Sequence, residues 1–163
     1  MHQRLGAFAR AHGAFSRSAN VLISGDMVLP KISTNVSVYA QEPEANALAL
    51  FMRSLKKFDV LPADTLVLPS HGRPFKGLHT RTAQLLQHHA ERMQEVLDAC
   101  RETPGSAHDM LKVIFKRPLD FHQTTFAIGE SVAHLHALWY EGKMKRLKDK
   151  EGIWRFQTLT QGI

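Results

Sequence analysis

Two residues able to bind a metal ion or move a proton, Asp26 and His71, each follow a short apolar stretch of the sequence. Asp26 ends the segment Val21-Leu-Ile-Ser-Gly-Asp26, and His71 comes shortly after Thr65-Leu-Val-Leu68. Short apolar runs bounded by turn-forming residues predict buried strands, and Pro69 should end the second strand because proline cannot continue a central ladder. Side chains just beyond strand ends lie on loops, where they are well placed to bind a metal ion or transfer a proton. We therefore predict that Asp26 and His71 share one site.

Four segments, taken in order, carry a family resemblance: Leu22-Ile-Ser-Gly-Asp26, Ile32-Ser-Thr-Asn-Val-Ser37, Leu66-Val-Leu-Pro-Ser-His-Gly72, and His88-His89 followed by Arg92. They resemble the later half of the metallo-β-lactamase-fold hydrolases, nearest to the glyoxalase-II-like and lactamase-B2-like branch. The resemblance extends over roughly residues 20–157. It implies an α+β fold, in which the second half of an αββα sandwich is followed by a winged-helix-like C-terminal domain.

The resemblance also implies metal chemistry at both strand ends. Asp26 matches the family's metal-bridging aspartate, and His71 matches its last metal-binding histidine. In the complete family fold, two divalent metal ions activate a water molecule that attacks an ester, thioester or phosphodiester. The expected metal is zinc. The resemblance assigns no catalytic residue beyond these metal ligands.

The family's principal ligand motif is absent from this sequence. His-x-His-x-Asp-His occurs nowhere in the 163 residues, and no Pro-Gly-His turn precedes Asp26. A catalytic zinc site normally has three protein ligands, so Asp26 and His71 alone predict weak metal binding or none. We expect a truncated hydrolase that begins inside the catalytic domain and is inactive alone. Its expected partner is a second copy or a completing N-terminal half, and one half of a split enzyme is an alternative.

Composition favours a cytoplasmic protein without a membrane anchor. The single cysteine, Cys100, excludes an internal disulfide and is typical of reducing compartments. The longest apolar run, residues 47–52, is far shorter than the roughly 18 residues that suggest a membrane span.

The formal charge of +6 is concentrated at the two ends of the chain. Residues 1–20 contain three arginines and no acidic residue, and residues 142–157 contain six basic residues against two acidic ones. A second class of function follows, a module that binds nucleic acid or protein, with the nucleic-acid candidates Lys143, Lys145, Arg146, Lys148 and Lys150. Trp154 and Phe156 can stack on bases, although their alternating positions also suit core packing.

The spacing of apolar residues predicts four helices after the first strand. Two run from about Ala45 to Phe58 and from about Thr80 to Glu102, after an irregular segment that includes Pro30. The third opens with an acidic capping box, Ser106-Ala-His-Asp109. The fourth runs from about Thr124 to Glu141, ends at a glycine cap, and has the buried stripe Ile128, Val132, Leu135 and Trp139.

Two strands, 144–147 and 153–156, complete the order of a winged helix. We accordingly predict an N-terminal arm at 1–20, a partial metallo-β-lactamase domain at 21–103 and a winged-helix-like domain at 104–163. The arm can form a weak amphipathic helix through Leu5, Phe8 and Phe15.

Several histidines lie on the predicted helices. His89 falls within an apolar stripe and is interpreted as a core residue. Glu130 and His134, four residues apart, can face one ligand, yet such pairs usually mark a solvated or interdomain face, so we expect both to be exposed and assign no site to them. His134 and His136 point to nearly opposite sides of a helix and cannot bind one ion together.

Overall fold

The computed structural model of the chain describes residues 13–160, which contain both helices and strands and confirm the mixed α+β class. In chain order the elements are β1 (Ala14–Ser16), β2 (Val21–Gly25), α1 (Ala47–Lys56), β3 (Leu66–Pro69), α2 (Leu78–Ala99), α3 (Ala107–Ile114), α4 (Phe121–Tyr140), β4 (Met144–Lys148) and β5 (Trp154–Thr158). A short 3-10 helix, Lys57–Val60, follows α1. No helix within residues 13–160 is long and apolar enough to cross a membrane.

The chain divides into two compact units. Among the described residues, unit 1 contains 13–34 and 49–88, and unit 2 contains 35–48 and 89–160. Helices α1 and α2 each contribute residues to both units. The domain boundary at residue 104 that we drew from the sequence stays a prediction.

Unit 1 is built on a three-stranded sheet of order β1-β2-β3. Strand β1 pairs antiparallel with β2, and β2 pairs parallel with β3 through Leu22 and Val67. The predicted arm helix is therefore wrong at Phe15, which lies in β1, while Leu5 and Phe8 fall outside the described residues. Strand β2 therefore has a paired neighbour on each side.

The predicted strands and helices of unit 1 are close to those observed. Strand β2 has the predicted bounds, and β3 begins and ends one residue later than predicted. Pro69 is tolerated in β3 because this strand lies at an edge of the described sheet, where a missing N–H breaks no ladder bond. Helix α1 is shorter than predicted at both ends, and Phe51 and Leu55 on its apolar face are buried.

Unit 2 contains the predicted capping box at the start of α3. The Ser106 Oγ accepts a hydrogen bond from the Asp109 amide at 3.3 Å, and Asp109 Oδ2 accepts one from the Ser106 amide at 2.8 Å. The two bonds satisfy amides that have no partner within the helix. The hydrogen bond from the Ser106 amide is the main reason why the pKa of Asp109 is lowered.

Helix α4 differs from its predicted one-sided pattern. From Ala127 to Leu138 it is buried on nearly every side, and Ile128 and Val132 of the predicted stripe are only half-buried. One reason is the glycine at position 129, where a Cβ would lie 2.7 Å from Ser37 Cβ. The segment around Ser37 therefore packs directly on the helix backbone, and Val38 donates a 3.0 Å hydrogen bond to the Gly129 carbonyl.

Strands β4 and β5 form the predicted antiparallel hairpin, with Gly142 at φ 70° just before it. Gly105 extends the hairpin, because its N–H and C=O both bond to the backbone of Phe156. A Cβ on Gly105 would lie 2.8 Å from Met110 Cε and 3.0 Å from Cys100 Sγ. The thiol of Cys100 is buried beneath this contact, and burial raises its pKa.

Candidate metal centre

Asp26 and His71 lie at the same end of two parallel neighbouring strands, and their side chains meet. His71 Nε2 is 3.6 Å from Asp26 Oδ1, and the two side chains are 74% and 60% exposed, respectively. The cause is topological, because the carboxyl ends of the parallel strands β2 and β3 reach the same edge of the sheet. The structure thus brings together the two residues that the sequence predicted would share a site.

Local backbone geometry holds the pair. The hydroxyl of Ser70, the residue before His71, donates a hydrogen bond to Asp26 Oδ1. The Ser70 amide donates to the Gly25 carbonyl at 3.1 Å, which ties the two strand ends together. Gly25 and Gly72 turn the chain on either side of the pair at φ 52° and 89°, a region that side chains disfavour. Sequence reasoning missed Ser70, although its place in Pro-Ser-His-Gly was the available signal.

The distance between Asp26 and His71 fits two ligands of one metal ion, but two ligands are too few for a complete site. With metal–donor distances of about 2.0–2.2 Å and tetrahedral angles, two donor atoms lie about 3.4 Å apart. Within residues 13–160, no group of three His, Cys, Asp or Glu side chains could hold a metal ion. The described residues therefore supply part of a ligand set, and the roles of Asp26 and His71 as ligands stay a prediction.

A cavity of about 420 Å³ opens beside His71. It lies entirely within unit 1, and two short segments line it, Leu29-Pro-Lys-Ile32 and His71-Gly-Arg-Pro-Phe75. The first segment belongs to the irregular stretch that follows β2, and the second follows β3. The loop after each strand thus forms one wall of a cavity that includes the predicted ligand His71.

Unit 2 contains a pair of histidines in contact with each other, and both are fully buried. His89 Nδ1 lies 3.3 Å from His134 Nε2, and His134 Nδ1 lies 2.8 Å from the Glu130 carbonyl oxygen. A ring nitrogen facing a carbonyl must carry the proton, so a neutral His134 accepts at Nε2 and His89 donates from Nδ1. The interpretation of His89 as a core residue is confirmed, whereas the expected exposure of His134 is wrong, since neither ring is exposed.

Glu130 is also buried, contrary to the sequence-based expectation. Its side chain is in hydrogen-bond range of the Asn35 amide nitrogen, with an Nδ2 to Oε2 distance of 3.4 Å. Removal from water disfavours the charged carboxylate and raises the pKa of Glu130 to about 7. Because the two residues are four positions apart on a helix, the His134 ring can hydrogen-bond to the backbone carbonyl of Glu130, and this contact is structural.

His136 is likewise buried, on another side of α4. Its Nδ1 is 3.1 Å from the Ala45 carbonyl oxygen, and burial lowers its pKa. His134 and His136 are therefore both engaged by main-chain carbonyls, as their opposite directions on the helix allow.

The basic hairpin of unit 2 is partly occupied by internal contacts. The Arg146 guanidinium lies 3.9 Å from the Trp139 ring centre and 4.3 Å from that of Trp154, and it pairs with Glu44 at 2.9 Å. Lys143 pairs with Glu141 at 2.8 Å. The remaining candidates, Lys145, Lys148 and Lys150, form no ion pair with a carboxylate of residues 13–160.

The two hairpin aromatics differ in exposure. Phe156 is buried in the core of unit 2, whereas Trp154 is 43% exposed. Lys148 Nζ lies 5.1 Å from the centre of the Trp154 ring. Core packing therefore explains Phe156 alone, and Trp154 retains a partly open ring face beside a cation.

Comparison with known proteins places this architecture in a known class. A family model described as "Metallo-beta-lactamase-like, C-terminal domain" matches residues 93–159. The chain is 51% identical to a beta-lactamase domain protein from Burkholderia ambifaria, with a TM-score of 0.88, and the match covers 90% of this chain and 44% of that one. A metallo-beta-lactamase family protein from Thermus thermophilus is 28% identical over the same shares, with a TM-score of 0.77.

The chain thus has the fold of part of a metallo-β-lactamase-like protein. It spans less than half the length of either solved structure that it matches here. Of its two units, the second contains the whole of the stretch that matches the C-terminal-domain family, residues 93–159.

Proposed function

We propose that this chain forms part of the centre of a metallo-β-lactamase-fold hydrolase, in the glyoxalase-II-like and lactamase-B2-like branch. Asp26 and His71 are its metal ligands in this proposal, and zinc is the first candidate ion. The observation that carries it is the meeting of the two side chains at 3.6 Å at adjacent strand ends, both open to solvent. A bound divalent ion supplies Lewis-acid activation of water for attack on an ester, thioester or phosphodiester.

The chain alone is proposed to be incomplete as a catalyst. A catalytic zinc ion usually needs three protein ligands, and the described residues offer two at this position. We therefore expect weak metal binding and negligible turnover by the isolated chain. The missing ligands come from a completing polypeptide, whether a longer form of this protein or the other half of a split enzyme.

Metal binding can be tested at the level of individual residues. In the isolated chain, added Mn²⁺ should broaden the NMR signals of Gly25 and Gly72, and His71→Ala or Asp26→Asn should remove the effect. His108→Ala is the matched control, because His108 is an exposed histidine in unit 2. Unchanged broadening in both ligand variants would refute the ligand roles, and stoichiometric zinc retained after dialysis would refute the incomplete site.

Completion of the site provides the test of activity. The part of the Burkholderia ambifaria protein that this chain does not match, added as a second polypeptide, should restore metal binding first and hydrolysis second. Asp26→Asn should abolish the recovery. Metal-dependent hydrolysis of esters or phosphodiesters by the isolated chain, sensitive to Asp26→Asn, would contradict the proposal of an incomplete centre.

For residues 104–163 we propose a winged-helix-like domain, supported by the order α3, α4, β4 and β5. Nucleic-acid binding by the hairpin is the second candidate function, favoured by the exposed Trp154 ring beside Lys148. Salt-dependent oligonucleotide binding that Lys148→Glu removes would support it, and no binding at low salt would exclude it.

Self-association and a cytoplasmic location complete the proposal. An apolar side chain such as Ile23, 55% exposed on β2, favours contact with another chain. Light scattering that shows a monomer at all concentrations would contradict association. The buried thiol of Cys100 is compatible with a reducing compartment, and microscopy of a tagged protein tests the location.

A further inference from the structure

The cavity beside His71 has two walls that are held in place by internal hydrogen bonds. Arg81, from α2, donates from Nε to the Leu29 carbonyl at 2.7 Å and from Nη2 to the Ile32 carbonyl at 2.9 Å. These two bonds fix both ends of the first wall. The second wall is fixed by Phe75, whose N–H and C=O both bond to the backbone of Val67 in β3, at 3.0 and 2.8 Å.

The walls also touch each other at a position that requires glycine. A Cβ on Gly72 would lie 2.7 Å from Pro30 Cγ, and Gly72 has φ 89°. Close contact and a left-handed backbone both favour glycine here. The cavity is therefore formed before any ligand arrives, which lowers the entropy cost of binding one.

The lining is apolar, and its size suits a small molecule. Pro30, Ile32, Pro74 and Phe75 present carbon surface, and Ile32 is 65% exposed. A volume of about 420 Å³ falls within the range of about 300–1,000 Å³ that is usual for small-molecule sites. The exposed side chain of Ile32 offers apolar surface on a fixed wall, and a ligand that covered it would gain free energy from the burial.

Two cations, one from each wall, accompany this apolar surface. Lys31 and Arg73 both line the cavity, and neither forms an ion pair with a carboxylate of residues 13–160. The carboxylate at this end of the sheet, Asp26, is in contact with Ser70 and His71. An anion placed between the walls would therefore meet two positive charges.

We propose that this cavity binds a small amphiphilic anion, with its hydrocarbon part against Ile32 and Phe75 and its anionic group at Lys31 and Arg73. Its role as the substrate-binding region rests on the proposed function, because His71 contributes both to the cavity and to the candidate metal site. The substrate class is then a hydrolysable compound with a short aliphatic or aromatic chain and one negative group. Binding of the anion itself requires no metal ion.

The test compares three probes of equal chain length on the metal-free full chain: octanoate, octanol and octylamine. Chemical shifts followed by NMR should move at Ile32, Gly72 and Phe75, and octanoate should bind most tightly, with a Kd on the order of 1 mM. The double variant Lys31→Ala/Arg73→Ala should weaken octanoate binding about fivefold and leave octanol binding unchanged. Ile32→Ser should weaken both, and Lys145→Ala, at an unpaired lysine of unit 2, should weaken neither.

Each failure has a distinct meaning. Octanoate that binds no better than octylamine, or shifts centred outside the two walls, would overturn the proposal. An unchanged octanoate affinity in the double variant would overturn it as well. If octanoate binds as expected but Mn²⁺ does not bind at Asp26 and His71, the cavity is still an anion site and only the proposed hydrolase centre is refuted.

Discussion

The two units of this chain each contain a histidine in contact with another titratable side chain, and the two contacts are built in opposite ways. His71 of unit 1 is 74% exposed, stands on a turn after a strand, and lies 3.6 Å from Asp26. His89 and His134 of unit 2 have no exposed surface and stand within helices. In unit 2 both ring nitrogens of His134 form hydrogen bonds inside the core, whereas in unit 1 the exposed imidazole of His71 is open to a ligand.

The largest expected effect separates the two contacts by stability. His134→Ala removes two hydrogen bonds and leaves a cavity in unit 2, so we expect the free energy of unfolding to fall by about 4 kcal/mol. His71→Ala, at an exposed position, should change it by less than about 0.5 kcal/mol. Urea denaturation followed by circular dichroism measures both. Equal losses in the two variants would remove the distinction drawn here.

A second prediction concerns pH and Glu130, one turn before His134. In the unfolded chain Glu130 titrates near 4.5, and in the folded chain near 7, because burial disfavours its charge. Between these values the folded state holds a proton that the unfolded state has lost, so stability falls as pH rises from about 4.5 to about 7. The loss from this group is at most about 3 kcal/mol.

Glu130→Gln should remove this slope from unfolding curves recorded between pH 4.5 and 7.5, a window that brackets the shift. Glu151→Gln, at an exposed residue of the hairpin turn, provides the control and should keep the slope. A slope that persists unchanged in Glu130→Gln would show that another group is responsible.

The smallest effect on stability is expected at Ser70. Ser70→Ala removes the hydrogen bond to Asp26 at an exposed site and should cost less than about 0.5 kcal/mol in unfolding free energy. Because Asp26 is a proposed metal ligand, loss of its hydrogen-bond partner should nevertheless weaken Mn²⁺ binding about tenfold. Unfolding free energy and Mn²⁺ affinity should both be measured for this variant. A purely structural contact would lower the unfolding free energy and leave Mn²⁺ binding unchanged.

Local sequence patterns predicted what depends on neighbouring residues. The strand before Asp26, the capping box at Ser106 and the C-terminal hairpin are each determined by a few consecutive residues, and each is confirmed. The meeting of Asp26 with His71 was also predictable, since both follow short apolar strands. Their 3.6 Å contact then follows from the parallel pairing of those strands.

The buried face of α4 depends on residues far away in the sequence. Asn35 reaches Glu130 across 95 positions, and His89 reaches His134 across 45. Such partners convert polar residues, which normally indicate a solvated face, into core residues. The cavity beside His71 has the same origin, because Arg81 fixes a wall that lies 52 positions earlier at Leu29.

The buried thiol of Cys100, which lies against Gly105 and Met110, can be used to measure local opening of unit 2. Its thiol is buried, lies 3.8 Å from Met110 Sδ, and has a raised pKa because of burial, so little reactive thiolate is present in the closed state. An alkylating reagent can therefore react only when this part of unit 2 opens. The labelling rate then measures the free energy of that opening without any engineered probe, and a single cysteine in the sequence leaves no second signal to subtract.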